Sequence, residues 1–136
     1  MLYIFGGLPG TGKSTLSQYL ARDRQSVHLR VDTIEQALRQ SGSLLSGVEG
    51  YTIAYSLAAD NLRLGLSVVA DSVNPLQITR AAWREVAQHA GVPFIEIEVI
   101  CSDHTEHQRR VETRSTAIPG LRLPTWNEVV NRDYEQ

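Results

Sequence analysis

Short apolar runs alternate with stretches of helical periodicity along this chain. Leu2 to Phe5, Val27 to Val31, Leu66 to Ala70 and Phe94 to Ile100 read as strands. Leu16, Tyr19 and Leu20 repeat at helical spacing after the first run. Ile34, Ala37 and Leu38, then Tyr51, Ala54, Tyr55, Ala58 and Leu62, predict two helices between the second and third runs. Asn74-Pro75 opens a further helix in which Ile78, Ala82, Val86 and Ala90 recur every four residues, and Gly91 to Pro93 closes it. Such alternation implies an α/β fold with a parallel sheet and right-handed crossovers. In the fourth run Ile95, Ile97 and Val99 share one face while Glu96 and Glu98 share the other, so that strand belongs near a sheet edge. The Ser- and Gly-rich joint from Ser41 to Gly50 is expected to be mobile or substrate-facing. Beyond the fourth strand, Asp103 to Arg114 reads as a polar helix, Ile118 to Pro124 as a loop and Trp126 to Asp133 as a last short helix.

Composition narrows the class. The 136 residues fit a single domain, near the lower size limit for a sheet covered on both faces. A formal charge of −2 with scattered arginines gives no single-signed face, which disfavours long nucleic acid as a partner and leaves small anions. Cys101 is the only cysteine, so no internal disulfide forms, as expected in a reducing cytoplasm. The first apolar run is too short for a signal sequence, and no stretch is long enough to span a bilayer.

Of the 13 Lys and Arg residues, one is a lysine, Lys13, and it falls within Gly7-Leu8-Pro9-Gly10-Thr11-Gly12-Lys13-Ser14, followed by Thr15. The spacing G-x-x-x-x-G-K-S between a strand and a helix is that of a phosphate-binding P-loop. Its glycines let backbone N–H groups face a phosphate, and the helix N-terminus adds partial positive charge. Gly7, Pro9, Gly10, Thr11, Gly12, Lys13, Ser14 and Thr15 are therefore the expected nucleotide-binding residues. Lys13 is expected on the β- and γ-phosphates, and Ser14 on Mg²⁺.

Further residues with chemistry fall at the ends of the other runs. Asp32 directly follows the second strand, at the carboxyl edge where ligands of open α/β sheets bind, and a carboxylate there can take a proton from a substrate hydroxyl. The segment Asp32-Thr33-Ile34-Glu35 is also close to a capping box, so a capping role stands beside the catalytic one. Asp71 ends an apolar strand in the manner of a Walker B segment that helps hold Mg²⁺, and the alternative is an ordinary strand-end aspartate. Asn74 points toward the same edge. Arg109, Arg110 and Arg114 lie on the polar helix, with Arg110 and Arg114 four residues apart on one face, where guanidinium groups can clamp phosphoryl oxygens. A solvated face paired with Glu106 and Glu112 is the plainer reading of that run. Cys101, His104 and His107 lack a fourth ligand, and histidines on a polar helix are expected in solvent. Trp83 and Trp126 are expected to pack.

Taken together, the P-loop, Val31-Asp32, Val68 to Asn74 and His107 to Arg114 resemble the small P-loop kinases grouped with AAA-type ATPases. That group is similar to chloramphenicol phosphotransferase, the zeta toxins and the kinase domain of polynucleotide kinase. The resemblance implies a three-layer P-loop NTPase fold, with a parallel sheet of order 2-3-1-4-5 and an arginine-bearing lid. It also implies transfer of the ATP γ-phosphate to a hydroxyl. By position, Lys13 and Ser14 would hold phosphate and Mg²⁺, Asp32 would orient or deprotonate the acceptor, and Arg110 and Arg114 would be the lid arginines. Nothing resembles an N-K-x-D guanine reader, which leaves ATP as the expected nucleotide. Glu35 stands where polynucleotide kinases carry a phosphate-holding arginine, which argues against a polynucleotide end as acceptor. Relatives continue into a fifth strand and helix, whereas this sequence stops at Gln136, so the expected sheet is 2-3-1-4 with the C-terminal strand and helix missing. The resulting expectation is an ATP- and Mg²⁺-dependent kinase acting on a small-molecule or nucleotide-like acceptor. A non-catalytic ATP-binding module and a toxin-like nucleotide-sugar kinase are its rivals.

Overall fold

In the computed structural model, residues 1–73, 77–100, 104–113 and Trp126 are described; for Gln77, His104, Arg110 and Thr113 only the backbone is. Four strands, β1 (Leu2–Gly6), β2 (Val27–Arg30), β3 (Val68–Asp71) and β4 (Phe94–Glu98), form one parallel sheet in the order β2-β3-β1-β4. The helices are α1 (Lys13–Asp23), α2 (Val31–Gln40), α3 (Glu49–Arg63), α4 (Gln77–Ala90) and α5 (His104–Thr113). Register pairs Phe5 with both Asp71 and Ile97, and Arg30 with Asp71. The carboxyl ends of all four strands therefore lie along one edge, where loops and helix N-termini gather.

Burial follows sheet position. Every residue of β3 is buried, as is nearly all of β1, while β4 is half to fully exposed. Among the described residues β4 is one edge of the sheet, as its Glu96 and Glu98 foretold, and β2 the other; Glu96 reaches Arg84 on α4 at 3.2 Å. Alternation along the strands divides the core in two. Leu2, Ile4, Val68 and Ala70 face Ala54, Ala58 and Leu62 of α3 and Trp83 and Ala87 of α4. Phe5 and Val69 face the other layer, with Ala21 of α1 and Val99. Trp83 is fully buried and takes the edge of Tyr55 at 4.7 Å, as packing was expected to use it.

The apolar stripe expected on α3 is the buried one, but those on the other helices are partly displaced. On α1, Leu16 and Tyr19 are exposed, and the covered face is Lys13, Ser17 and Ala21, with Leu20 half-buried. On α2, Ala37 is exposed and the buried residues are Val31 and Gln36. On α4, Ile78 is exposed, and the inward line runs through Trp83 and Ala87. In each case only part of the expected stripe is exposed: Leu20, Ile34, Val86 and Ala90 pack half-buried against the core beside the fully buried residues.

Boundaries also move. Val31 opens α2 rather than closing β2, so strand passes into helix without a connecting loop. The N-cap of α2 is Arg30, which corrects the capping role for Asp32; Asp32 lies exposed inside the first turn, and no side chain caps the helix. Leu66 and Ser67 precede β3, and Val99 and Ile100 follow β4. Between α2 and α3 the joint is held locally, because Glu49 accepts hydrogen bonds from the amides of Ser46 and Gly47 and from the Ser46 hydroxyl, at 2.8 to 3.2 Å. Asn74-Pro75, Cys101, Arg114, the expected loop at 118–124 and the expected helix from Trp126 to Asp133 lie outside the described residues, Trp126 itself excepted.

Candidate active site around the glycine loop

The glycine loop leaves β1 at the carboxyl edge and enters α1, whose N-cap is Gly12. Two of its glycines answer to close contacts. Gly7 has φ +141°, and a Cβ there would collide with the Val99 carbonyl; Gly10 has φ +80°, and a Cβ there would meet Val111 of α5 at 2.5 Å. Two hydrogen bonds fix the loop from within and below. Gly7 donates its N–H to the Val73 carbonyl at 3.0 Å, and the Thr11 hydroxyl donates to the Leu8 carbonyl at 2.9 Å. The first-turn amides of α1 thus lie beneath a loop stripped of side-chain bulk, a cradle suited to phosphate oxygens.

Lys13 is the first residue of α1 and is 8% exposed. Its ammonium group donates to Asp71 Oδ1 at 2.6 Å. Asp71 is 3% exposed, and its other oxygen accepts from the Ser17 hydroxyl at 2.8 Å. His28 Nε2 lies 3.1 Å from Ser17 Oγ and 3.7 Å from Asp71 Oδ2, beyond hydrogen-bond reach of the carboxylate. Arg30 adds its Nε at 3.8 Å from the same oxygen and donates from its terminal nitrogen to Ser14 Oγ at 3.5 Å. Burial alone would raise the Asp71 carboxyl, but His28, Lys13 and Ser17 outweigh it and hold the group well below the ordinary carboxylate range.

Of the expected site residues, the structure gathers Lys13, Ser14 and Asp71 within one cluster at the loop. Asp32 sits at the same sheet edge, two residues beyond Arg30, with its side chain exposed. The Arg110 side chain and Arg114 lie outside the described residues. Arg109 pairs with Glu106 through its Nε at 2.9 Å on an exposed helix face, the plainer of its two readings. Among the described residues no three His, Cys, Asp or Glu side chains come together as a metal-binding group.

Sequence reasoning passed over Ser17, His28 and Arg30 and set His107 in the wrong environment. Ser17 follows Lys13 by one helical turn, and His28 and Arg30 alternate on the face of β2 that the register brings to Asp71. Those spacings were available, but not the strand pairing that gives them meaning. His107 was expected in solvent. Instead it is 6% exposed, donates Nε2–H to the Pro9 carbonyl at 2.8 Å, and meets the ring of Trp126 edge-on at 5.0 Å. With Val111 against Gly10, His107 seats α5 directly on the glycine loop.

A parallel sheet of this order, with a glycine loop running from β1 into α1, defines a P-loop fold of the small-kinase type. The chain belongs to the AAA domain family (AAA_33), whose model matches residues 2–128. Solved structures with the same fold include a candidate kinase from Chloroflexus aurantiacus j-10-fl, at 24% identity and TM-score 0.73, over 83% of this chain and 65% of that one. The APS kinase of Mycobacterium tuberculosis in complex with AMPPNP and APS matches at 22% identity and TM-score 0.61, over 82% of this chain and 68% of its own. A gluconokinase from Sinorhizobium meliloti 1021 matches at 15% identity and TM-score 0.58, over 83% and 64%. This chain thus spans just under two thirds of the length of the first and last of these. No curated protein matches the sequence.

Proposed function

We propose that the chain is an ATP-dependent phosphotransferase that moves the γ-phosphate to a hydroxyl of a small or nucleotide-like acceptor. The observation that carries this reading is the juxtaposition at one sheet edge of the glycine cradle, the buried Lys13–Asp71 pair and the exposed carboxylate of Asp32. A glycine-rich cradle, at a helix N-terminus and beside a buried ammonium group, suits a polyphosphate. Membership of the family and the kinases among the solved structures support the same activity.

In this reading the loop amides and Lys13 bind the β- and γ-phosphates, with Lys13 exchanging the Asp71 carboxylate for phosphate oxygens. Ser14 and Asp71 are the residues that would hold Mg²⁺ in this reading. When bound with the nucleotide, that ion would supply charge neutralisation between the β- and γ-oxygens. Mg²⁺ on a nucleotide needs only one or two protein ligands, so the Ser14 hydroxyl and one carboxylate suffice. Asp32 accepts the acceptor's proton, and Arg110 and Arg114 are the arginines proposed to clamp phosphoryl oxygens. The protein's contribution is positioning and electrostatic stabilisation more than covalent chemistry.

Calorimetry with Mg²⁺·ATP and a metabolite screen for ATP-dependent phosphorylation test this reading. Wild type should bind, Lys13→Ala should not, and Asp32→Ala should keep ATP affinity while losing transfer. Transfer surviving in Asp32→Ala would remove the general base, and failure of every hydroxyl acceptor would leave a binding module.

A further inference from the structure

Of the two permanent cations at Asp71, Arg30 is the one that makes no hydrogen bond to the carboxylate. Arg30 closes β2 and serves as the N-cap of α2, so its backbone is fixed by two elements at once. Its side chain is 18% exposed, on the face shared with Asp71. A guanidinium carries five N–H donors in a planar fork. Among the described residues Arg30 uses one of them, in a hydrogen bond of 3.5 Å to Ser14 Oγ, and its Nε stands 3.8 Å from Asp71 Oδ2, beyond hydrogen-bond reach. Most of its donor capacity is open beside the glycine loop. Asp71 meanwhile faces two permanent cations, Lys13 and Arg30, so the cluster has positive charge to spare for an anion.

We propose that Arg30 is a second phosphate-binding cation, which donates its free N–H groups to the terminal phosphate of a bound nucleoside triphosphate. The proposal rests on the reading that the glycine loop holds a nucleotide. Position selects the terminal group. The P-loop hydroxyl belongs beside the bridge between the β- and γ-phosphates, and Arg30 reaches that hydroxyl from the end of β2, at 3.5 Å. Asp71 then acts as a positioning residue that keeps the Nε edge of Arg30 turned inward and the terminal nitrogens toward the ligand.

A contact to the terminal phosphate discriminates triphosphate from diphosphate, and binding reads it without turnover. Calorimetry with Mg²⁺·AMPPNP and with Mg²⁺·ADP, on wild type, Arg30→Gln and Arg30→Lys, is the test, with thermal melts to establish folding. Arg30→Gln should weaken AMPPNP about tenfold or more while changing ADP little. Arg30→Lys, which keeps the charge but not the fork, should fall between, and it carries the test if Arg30→Gln does not fold. Equal losses for both nucleotides, or no loss for either, would overturn the assignment while leaving the glycine-loop reading in place. Wild type that binds neither nucleotide removes both.

Discussion

Asp71 shows how much one buried carboxylate can organise. Lys13, Ser17, His28 and Arg30 converge on it from α1 and β2, and removing its charge would leave buried cations without compensation. Asp71→Asn is expected to cost about 3 to 5 kcal/mol in urea unfolding at neutral pH. The pH dependence has a definite sign. Because the folded carboxyl is held below its ordinary value of 3.8, its contribution is fully present above that value and is lost as the pH falls toward the folded value. Wild type should therefore lose stability on acidification below about pH 4, and Asp71→Asn should show a flatter acid limb. Gly10 offers a second test at this scale. Gly10→Ala should weaken nucleotide binding and lower the melting temperature, because the new methyl meets Val111 at a positive φ.

At the scale of elements, the joint into α3 is tied down by Glu49, which reaches back to Ser46 and Gly47 as the acidic residue of a capping box does. The backbone and hydroxyl hydrogen bonds of Ser46 hold this exposed carboxyl down at about 2. An NMR titration should find its midpoint there, the tether intact above about pH 4 and released as the pH falls through that midpoint. Glu49→Gln should speed amide exchange at Ser46 and Gly47 while leaving the exchange of β3 unchanged. The pattern S-x-x-E was present in the sequence, but the Ser and Gly content drew attention to mobility instead. Helix α5 teaches a similar lesson. Its polar sequence predicted a solvated helix, and Arg109 and Glu106 form such a face, yet His107 and Val111 are buried on the glycine loop. A single turn of contact suffices to dock a polar helix, and hydropathy averaged along the helix conceals it.

Across the whole molecule, stability rests on the layer between the sheet and α3 with α4, where Trp83 is buried in one cluster with Ala54, Ala58 and Ala70. Small residues on α3 let the helices approach, and the large ring occupies what they leave. Trp83→Ala should cost about 3 to 5 kcal/mol, measured by denaturant unfolding. Nucleotide linkage acts at this scale too. Mg²⁺·ATP at about 100 times its Kd should add roughly 2.7 kcal/mol of stability to wild type and nothing to Lys13→Ala, read as a shift in thermal midpoint. Strand number and the edge position of β4 were legible because sheet burial is written in local composition: a strand covered on both faces is apolar throughout, and an edge strand admits charge; strand order came from the resemblance to small P-loop kinases. Lys13 and Ser14 were legible because their motif is contiguous and its geometry depends on neighbouring residues alone. Ser17, His28 and Arg30 became parts of the site only when parallel pairing set Arg30 opposite Asp71 and the first two turns of α1 covered that pair. The sequence by itself therefore determined the fold class and the phosphate loop, which arise from local spacing and periodicity. The tertiary structure decided which charges surround Asp71 and which helix lies on the loop, because contacts between residues far apart in the chain depend on register and packing that no local pattern encodes.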